Sequence, residues 1–373
     1  MEALAITHKG IEDIACLEIS ELVGNASAKE GCVVFSFKKY EDLFLLSYKT
    51  QSISKILLLF DSFHFNDDFS EKAKEKIKNI DVNDWINAKT PFVVRSFIIN
   101  NENFASSSVE PEIGEYIIDK TKAKVDLENP LVTFFVYIYG NTCYLGIDFS
   151  GDLGKRNYKI FNLSNSLKGS VAYALARIAD VKEKDVIMDP FAKGGEICIE
   201  TALFLSNLSV NYYCKDKFLF LKMKNFEKID FDKFFSKLDK RKKKKLKIYC
   251  CDNLMNNIQA AKKNAKIAGV HKDINFSRND LEWLDVKFKK KTIDKIITYL
   301  PFSKVNLHNI KKVYKEFFYQ AEYILKDKGK IVVITEEVEN VKEFLEQYKF
   351  KIKEKREVWQ GQKALQILVI EKG

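Results

Sequence analysis

The sequence predicts an α/β protein whose C-terminal half is a doubly wound, mostly parallel sheet, preceded by two smaller α+β units. Three observations predict it. From Ser166 onward helical and strand-like runs alternate, as they do when crossover helices connect parallel strands. Several of those strand-like runs end in an acid or a proline turn: Asp189, Asp252, Asp280 and the turn from Thr298 to Phe302. The first 150 residues instead mix short strands and helices and carry a hairpin signal at Gly140-Asn141.

In residues 1–60, Ala3 to Thr7, Val33 to Phe37 and Ile56 to Phe60 read as strands. Between them, Ile11, Ala15, Ile19 and Leu22 share one face of a helix that Gly24 ends, and Tyr40 to Tyr48 forms a second helix. That order suits a small ferredoxin-like unit. Residues 61–156 form the second unit, with helices at Glu71 to Lys78, Val82 to Ile86 and Glu112 to Lys120. Its strands are Pro91 to Ile98, Leu131 to Ile138 and Cys143 to Asp148, and Ser150 to Tyr158 leaves it as a basic linker. Residues 157–373 hold the third domain. Its strands are Val186 to Met188, Leu246 to Cys251, Ile274 to Ser277, Ile293 to Thr298, Lys330 to Thr335, Lys351 to Val358 and Leu365 to Ile370. Its helices are Leu167 to Ile178, Gly195 to Ser206, Ala260 to Ala268, Val305 to Leu325 and Val338 to Tyr348. An insertion from Asn207 to Lys245 mixes phenylalanines with lysines; these either pack on the sheet, as phenylalanines at helical spacing usually do, or stack on RNA.

Composition narrows the function. With 373 residues, 46% of them hydrophobic, the chain can bury more than one core. No apolar run reaches the roughly 20 residues of a membrane-spanning helix, and Met1 to Gly10 lacks the pattern of a secretory signal, so a soluble, cytoplasmic protein is expected, with no membrane partner. Seven cysteines without a CxxC pair are expected to be reduced core thiols, and with only four histidines no metal site is expected. A net charge of +10 favours polyanionic partners. The basic run from Lys240 to Lys245 is either a solvated loop or an RNA contact.

Open α/β sheets bind ligands in the crevice at the carboxyl ends of their strands. Asp189, Asp252, Asp280 and the 298–302 turn would all face that crevice, with Gly194 and Gly195 allowing close backbone approach at a helix start. One carboxylate near an amine, one at ribose hydroxyls and one at an adenine amine would suit an adenosyl ligand. No GxGxxG follows the first strand of this domain, which argues against a nucleotide-binding oxidoreductase.

Across nearly its whole length the chain resembles the THUMP-domain RNA methyltransferases, which include tRNA guanine-N2 enzymes. The resemblance rests on His8-Lys9-Gly10-Ile11-Glu12, Phe92-Val93-Val94-Arg95, Glu112-Ile113-Gly114, Val125 to Pro130, Tyr144 to Asp148, Gly151 to Tyr158, and Ser166 to Ala172. It implies a THUMP RNA-binding domain ahead of a Rossmann-like methyltransferase domain, S-adenosylmethionine as cofactor, and action on tRNA or another structured RNA; a monomer is expected. Arg95, Lys155, Arg156 and Lys168 are the implied RNA-binding residues.

The family's cofactor loop, Asp-Pro-Phe-Cys-Gly-Ser-Gly-Thr, stands here as Asp189-Pro190-Phe191-Ala192-Lys193-Gly194-Gly195-Glu196, with lysine and glutamate where the family has glycine and threonine. The resemblance implies that Asp189, Phe191, Lys193, Gly194 and Gly195 bind the cofactor. Asp252 and Asn253 fall at the ribose side, and Asp280 and Leu281 at the adenine side. The family's catalytic Asn-Pro-Pro-Tyr loop reads Tyr299-Leu300-Pro301-Phe302. There the family accepts hydrogen bonds from the target amine and stacks an aromatic ring on the flipped base. Phe302 keeps the ring and the Leu300 carbonyl an acceptor, but Tyr299 brings no carboxamide; it is either a core aromatic or a catalytic residue. These departures leave open a second reading, a catalytically degenerate RNA-binding protein of the same build.

Overall fold

A computed structural model describes residues 1–161, 163, 166–242, 245–302 and 305–373. The chain forms two seven-stranded sheets. The first is built from β1 (Glu2–Ile6), α1 (Glu12–Leu22), β2 (Ala26–Lys29), β3 (Cys32–Ser36), α2 (Tyr40–Lys49), β4 (Lys55–His64), α3 (Phe69–Asn79), β5 (Phe92–Ile99), α4 (Ser106–Thr121), β6 (Val132–Tyr139) and β7 (Thr142–Asp148). Its strand order is β2-β3-β1-β4-β7-β6-β5, with β5 and β6 parallel and the other pairs antiparallel.

The expected division after residue 60 therefore falls inside β4, and β4 pairs with β7 over residues 57–64. The two N-terminal α+β units share one continuous sheet. Residues 82–86, expected as a helix, make only a turn closed by Trp85 N–H and Ile86 N–H donating to the Val82 carbonyl.

The second sheet is built from α5 (Gly169–Ile178), β8 (Val186–Asp189), α6 (Glu196–Ser206), α7 (Phe231–Leu238), β9 (Lys247–Asp252), α8 (Met255–Ile267), β10 (Ile274–Arg278), α9 (Leu284–Lys287), β11 (Ile293–Tyr299), α10 (Leu307–Ile324), β12 (Leu325–Thr335), α11 (Val338–Leu345), β13 (Phe350–Gln360) and β14 (Lys363–Lys372). The order is β10-β9-β8-β11-β12-β14-β13; the first five are parallel and β14 runs antiparallel beside β12. Apolar side chains are buried on both faces, Ile187, Ile297 and Val332 toward one side and Met188, Ile296 and Val333 toward the other. Such two-sided burial explains the nearly continuous apolar runs of these strands.

The insertion does not pack on this second sheet. Phe218, Phe220, Phe226 and Phe235 are buried in the core of the first unit. Phe220 lies 4.8 Å from Phe44 and 5.2 Å from Phe149, ring centre to ring centre, and Phe235 lies 4.7 Å from Tyr48. The insertion thus leaves the C-terminal domain and straps it to the N-terminal one. In the basic run that follows, Lys243 and Lys244 lie outside the described residues, while Arg241 pairs with Asp273 and Lys242 with Glu183 on the surface.

A knot of buried polar groups joins the two units. The Arg156 Nε–H donates to Glu200 Oε1 at 2.6 Å, the Tyr158 hydroxyl to the same oxygen at 2.7 Å, and Gln51 Nε2 to Glu200 Oε2 at 2.6 Å. Arg156 also donates to the carbonyls of Leu153 and Gln51. Its side chain is only 1% exposed and that of Glu200 is fully buried. Arg156, expected among the RNA-binding residues, is corrected on this point: every face of its guanidinium is spent inside the protein, and none is presented to a polyanion.

All seven cysteines are unpaired. Among the described residues no helix is long and apolar enough to cross a membrane, and no group of three or more His, Cys, Asp or Glu could hold a metal ion.

Candidate cofactor and base site

Parallel pairing aligns the carboxyl ends of five neighbouring strands. In sheet order they carry Asp280 just after β10, Asp252 ending β9, Asp189 ending β8, Tyr299 ending β11 and Glu336 just after β12. The acids expected from the sequence are thus brought to one crevice. Asn279 N–H donates to the Asp252 carbonyl, which ties the Asp280 turn to the end of β9.

Asp189 is buried and accepts at Oδ1 from the Thr298 hydroxyl (2.6 Å) and the Phe191 amide (3.1 Å). Burial pushes its carboxyl up to about 7. Asp252 accepts the Lys193 amide at Oδ2 (3.0 Å) and, at Oδ1, the Leu254 amide and the Asn257 side chain, so it fixes the turn between β8 and α6. Asn253 and Asp280 are exposed at the rim, with Leu281 half-buried beside them. The Asn253 carbonyl accepts from Arg278.

The turn itself needs left-handed backbone at Lys193 (φ +47°) and Gly195 (φ +82°). At Gly195 a Cβ would stand 2.9 Å from that of Ala261, so glycine is required twice over. Gly194 is buried and its carbonyl accepts from Asn264 at 3.1 Å. Phe191 packs on Phe317.

Leu167, Asp189, Phe191, Ala192, Lys193, Glu196, Ile197 and Tyr299 enclose a cavity of only about 10 Å³. The Lys193 ammonium lies 4.1 Å above the Tyr299 ring, between the turn and the 299–302 loop. Burial lowers the pKa of Lys193 and raises that of Glu196. Glu196 Oε1 is the sole carboxylate oxygen among the buried side-chain atoms that lack a hydrogen bond among the described residues. Lys159 stands 3.5 Å from it but donates to Ser166 Oγ and the Leu167 carbonyl. Glu196 entered the sequence reading only as a departure from the family pattern; the structure makes it a wall of the site. A much larger cavity, about 740 Å³, opens between the two units near Lys49, Tyr173 and Lys182, at the amino end of β8, away from this chemistry.

In the 299–302 loop, Tyr299 is buried and its hydroxyl donates to Glu336 Oε1 at 2.9 Å, so its ring forms a wall while its polar end is already used. The Leu300 amide donates to the Ile334 carbonyl, and the Pro301 carbonyl accepts from Tyr314 at 2.9 Å. Phe302 is half-buried at the mouth. Of the remaining RNA candidates, Arg95 is exposed on the edge strand β5, Lys155 is exposed in the linker, and Lys168 is exposed where its amide meets Gln360 of β13.

Residues 156–366, more than half of the chain, match the UPF0020 family, the RMKL-like methyltransferase domain. The chain belongs to that family. Residues 69–148 match the THUMP domain. The chain is 29% identical to the tRNA (guanine(6)-N2)-methyltransferase of Methanocaldococcus jannaschii over 97% of each protein. Its fold matches that of TrmN from Thermus thermophilus with a TM-score of 0.73 at 22% identity, covering 100% of this chain and 99% of that one. It also matches SMU.472, crystallised in complex with SAH, with a TM-score of 0.80 at 16% identity, covering 100% and 98%. The architecture is thus a THUMP-containing N-terminal part followed by a Rossmann-like methyltransferase domain.

The residues present suit the cofactor that this family implies. An S-adenosylmethionine carries a cationic amine, and the buried Glu196 Oε1, ion-paired with Lys159 at 3.5 Å but without a hydrogen bond among the described residues, is an acceptor for such a cation. The Lys193 side chain is among the groups that line the space beside Tyr299.

Proposed function

We propose that the protein is an S-adenosylmethionine-dependent methyltransferase acting on the exocyclic N2 amine of a guanine in tRNA. The row of acids and aromatics on five adjacent strand ends carries this reading. The names of relatives matched over most of their length supply the substrate and make position 6 the first place to look. Asp189 and Glu196 would hold the methionine end, the 193–195 backbone would cradle it, Asp252 with Asn253 would face the ribose, and Asp280 with Leu281 the adenine. The cofactor supplies an electrophilic methyl group. Tyr299, Leu300, Pro301 and Phe302 form the base side: Phe302 stacks on the flipped guanine, and the Leu300 carbonyl is an acceptor for its amine. Arg95, Lys155 and Lys168 would contact phosphates along the THUMP face and linker.

The test is transfer of labelled methyl from S-adenosylmethionine to unmodified tRNA, with the modified base identified by mass spectrometry. Transfer to guanine N2 that Asp189→Ala abolishes supports the reading. Salt-sensitive tRNA binding with no transfer to any tRNA pool overturns it in favour of an RNA-binding protein without catalysis.

A further inference from the structure

Glu336 occupies the fifth place in the row of strand ends, beside the catalytic loop and outside the acids that face the cofactor. Its side chain is held inward, 18% exposed. Two donors orient it: the Tyr299 hydroxyl at 2.9 Å and the Lys363 ammonium at 2.5 Å, both to Oε1. Lys363 opens β14, the antiparallel neighbour of β12, so the three residues sit on adjacent strands at one end of the sheet. An ionised carboxylate offers about four lone-pair sites. Among the described residues two are used, both on Oε1, which leaves the two on Oε2.

We propose that Glu336 is the residue that selects guanine, its Oε2 receiving the N1–H and the exocyclic N2–H of the flipped base. This rests on the reading above that the base enters over Tyr299 and Phe302. Guanine presents those two donors side by side, whereas adenine presents an N1 lone pair next to its amine. A carboxylate attracts the first edge and repels the second. Lys363 and Tyr299 then act as positioning residues: they pin Oε1 and leave Oε2 to the base.

The pinning makes a sharp test possible. In Glu336→Gln the amide oxygen takes the place of Oε1, because Lys363 and Tyr299 both donate there, and the amide NH2 is forced into the place of Oε2. That group opposes the N1–H of guanine and matches the N1 lone pair of 2-aminopurine, which keeps the 2-amino group. Transfer is measured on tRNA carrying guanine or 2-aminopurine at position 6. In parallel, guanosine monophosphate and 2-aminopurine riboside monophosphate are titrated onto the full chain with S-adenosylhomocysteine present.

The wild-type protein is expected to prefer guanine by about 10- to 100-fold, the discrimination typical of one well-placed base contact, and Glu336→Gln to reverse the preference. Glu336→Ala should lose the preference without reversing it. Equal losses on both bases, or an unchanged ratio, would show that Glu336 merely braces Tyr299 and would overturn the proposal. Absence of transfer to either tRNA counts against the proposed function alone; the nucleotide titration still decides the Glu336 contact, and wild-type protein that binds both nucleotides alike, or neither, sinks it.

Discussion

Glu196 and Glu200 stand one turn apart on α6, both buried, and their surroundings could hardly differ more. Glu200 is surrounded by donors: Arg156 and Tyr158 at Oε1, Gln51 and Arg156 at Oε2. Glu196 has one oxygen with no hydrogen bond and a lysine that stands off at 3.5 Å. A buried charge with every acceptor site filled belongs to the scaffold, since removing any partner strands the rest. A buried charge left partly unfilled costs stability that a ligand can return. The same helix therefore locks the domains together with one carboxylate and offers the other to the crevice.

The isosteric change Glu200→Gln separates the two roles most forcefully. It puts an NH2 among donors and leaves the buried Arg156 charge uncompensated, which should destabilise the protein by about 3–5 kcal/mol. Urea denaturation followed by tryptophan fluorescence measures it. Because Gln51 belongs to the first unit and Glu200 to the second, the variant should also split a single transition into two. A loss below about 1 kcal/mol would mean the knot is replaceable by water and plays no part in joining the domains.

How far the sequence reveals this arrangement depends on how local each cause is. The ends of β8, β9 and β11 are legible because a continuous apolar run followed by an acid or proline needs no distant partner to be recognised. β2 is not: four mostly exposed residues at a sheet edge carry no alternation. Nor is the continuity of the first sheet, which hinges on β4 pairing with β7 across 78 to 91 residues of chain. Arg156 reads as a linker cation because what buries it, Glu200 and Gln51, lies 44 and 105 residues away. The insertion's phenylalanines announce burial but not which core receives them, since Phe44 and Phe149 belong to another domain. Glu336 was within reach: the rule that flagged the other strand ends applies to the residue after Thr335.

Glu196→Gln, the same substitution one turn earlier, should cost less stability than Glu200→Gln, about 1–2 kcal/mol, because the Lys159 ammonium that pairs with the carboxylate at 3.5 Å keeps its hydrogen bonds to Ser166 and Leu167. It should weaken S-adenosylmethionine binding roughly tenfold or more, the loss of one charge-assisted hydrogen bond to the ligand's amine. Isothermal titration calorimetry reads the affinity. Asp189 adds a pH dependence with a definite sign. Its carboxyl keeps a proton up to about 7 in the free protein, and a cationic ligand favours the ionised form. Binding should therefore release a proton and strengthen as pH rises from 6 to 8. An affinity that Glu196→Gln leaves unchanged would return Glu196 to the scaffold beside Glu200.

The smallest expected effect is at Lys193. Its left-handed backbone costs about 1 kcal/mol or more for a residue with a side chain, and glycine removes that cost while forfeiting contacts such as the one with the Tyr299 ring. The two nearly offset, so Lys193→Gly should shift stability by less than about 1 kcal/mol. Its effect on the ligand is more telling. With the side chain gone the cavity over Tyr299 opens, and a cation no longer faces the cofactor's sulfonium and amine. Both changes favour binding, so affinity should rise about three- to tenfold, less than the loss at Glu196. Weaker binding in Lys193→Gly would reverse the assignment, placing the ammonium on the cofactor's carboxylate as a partner rather than in its path as a plug.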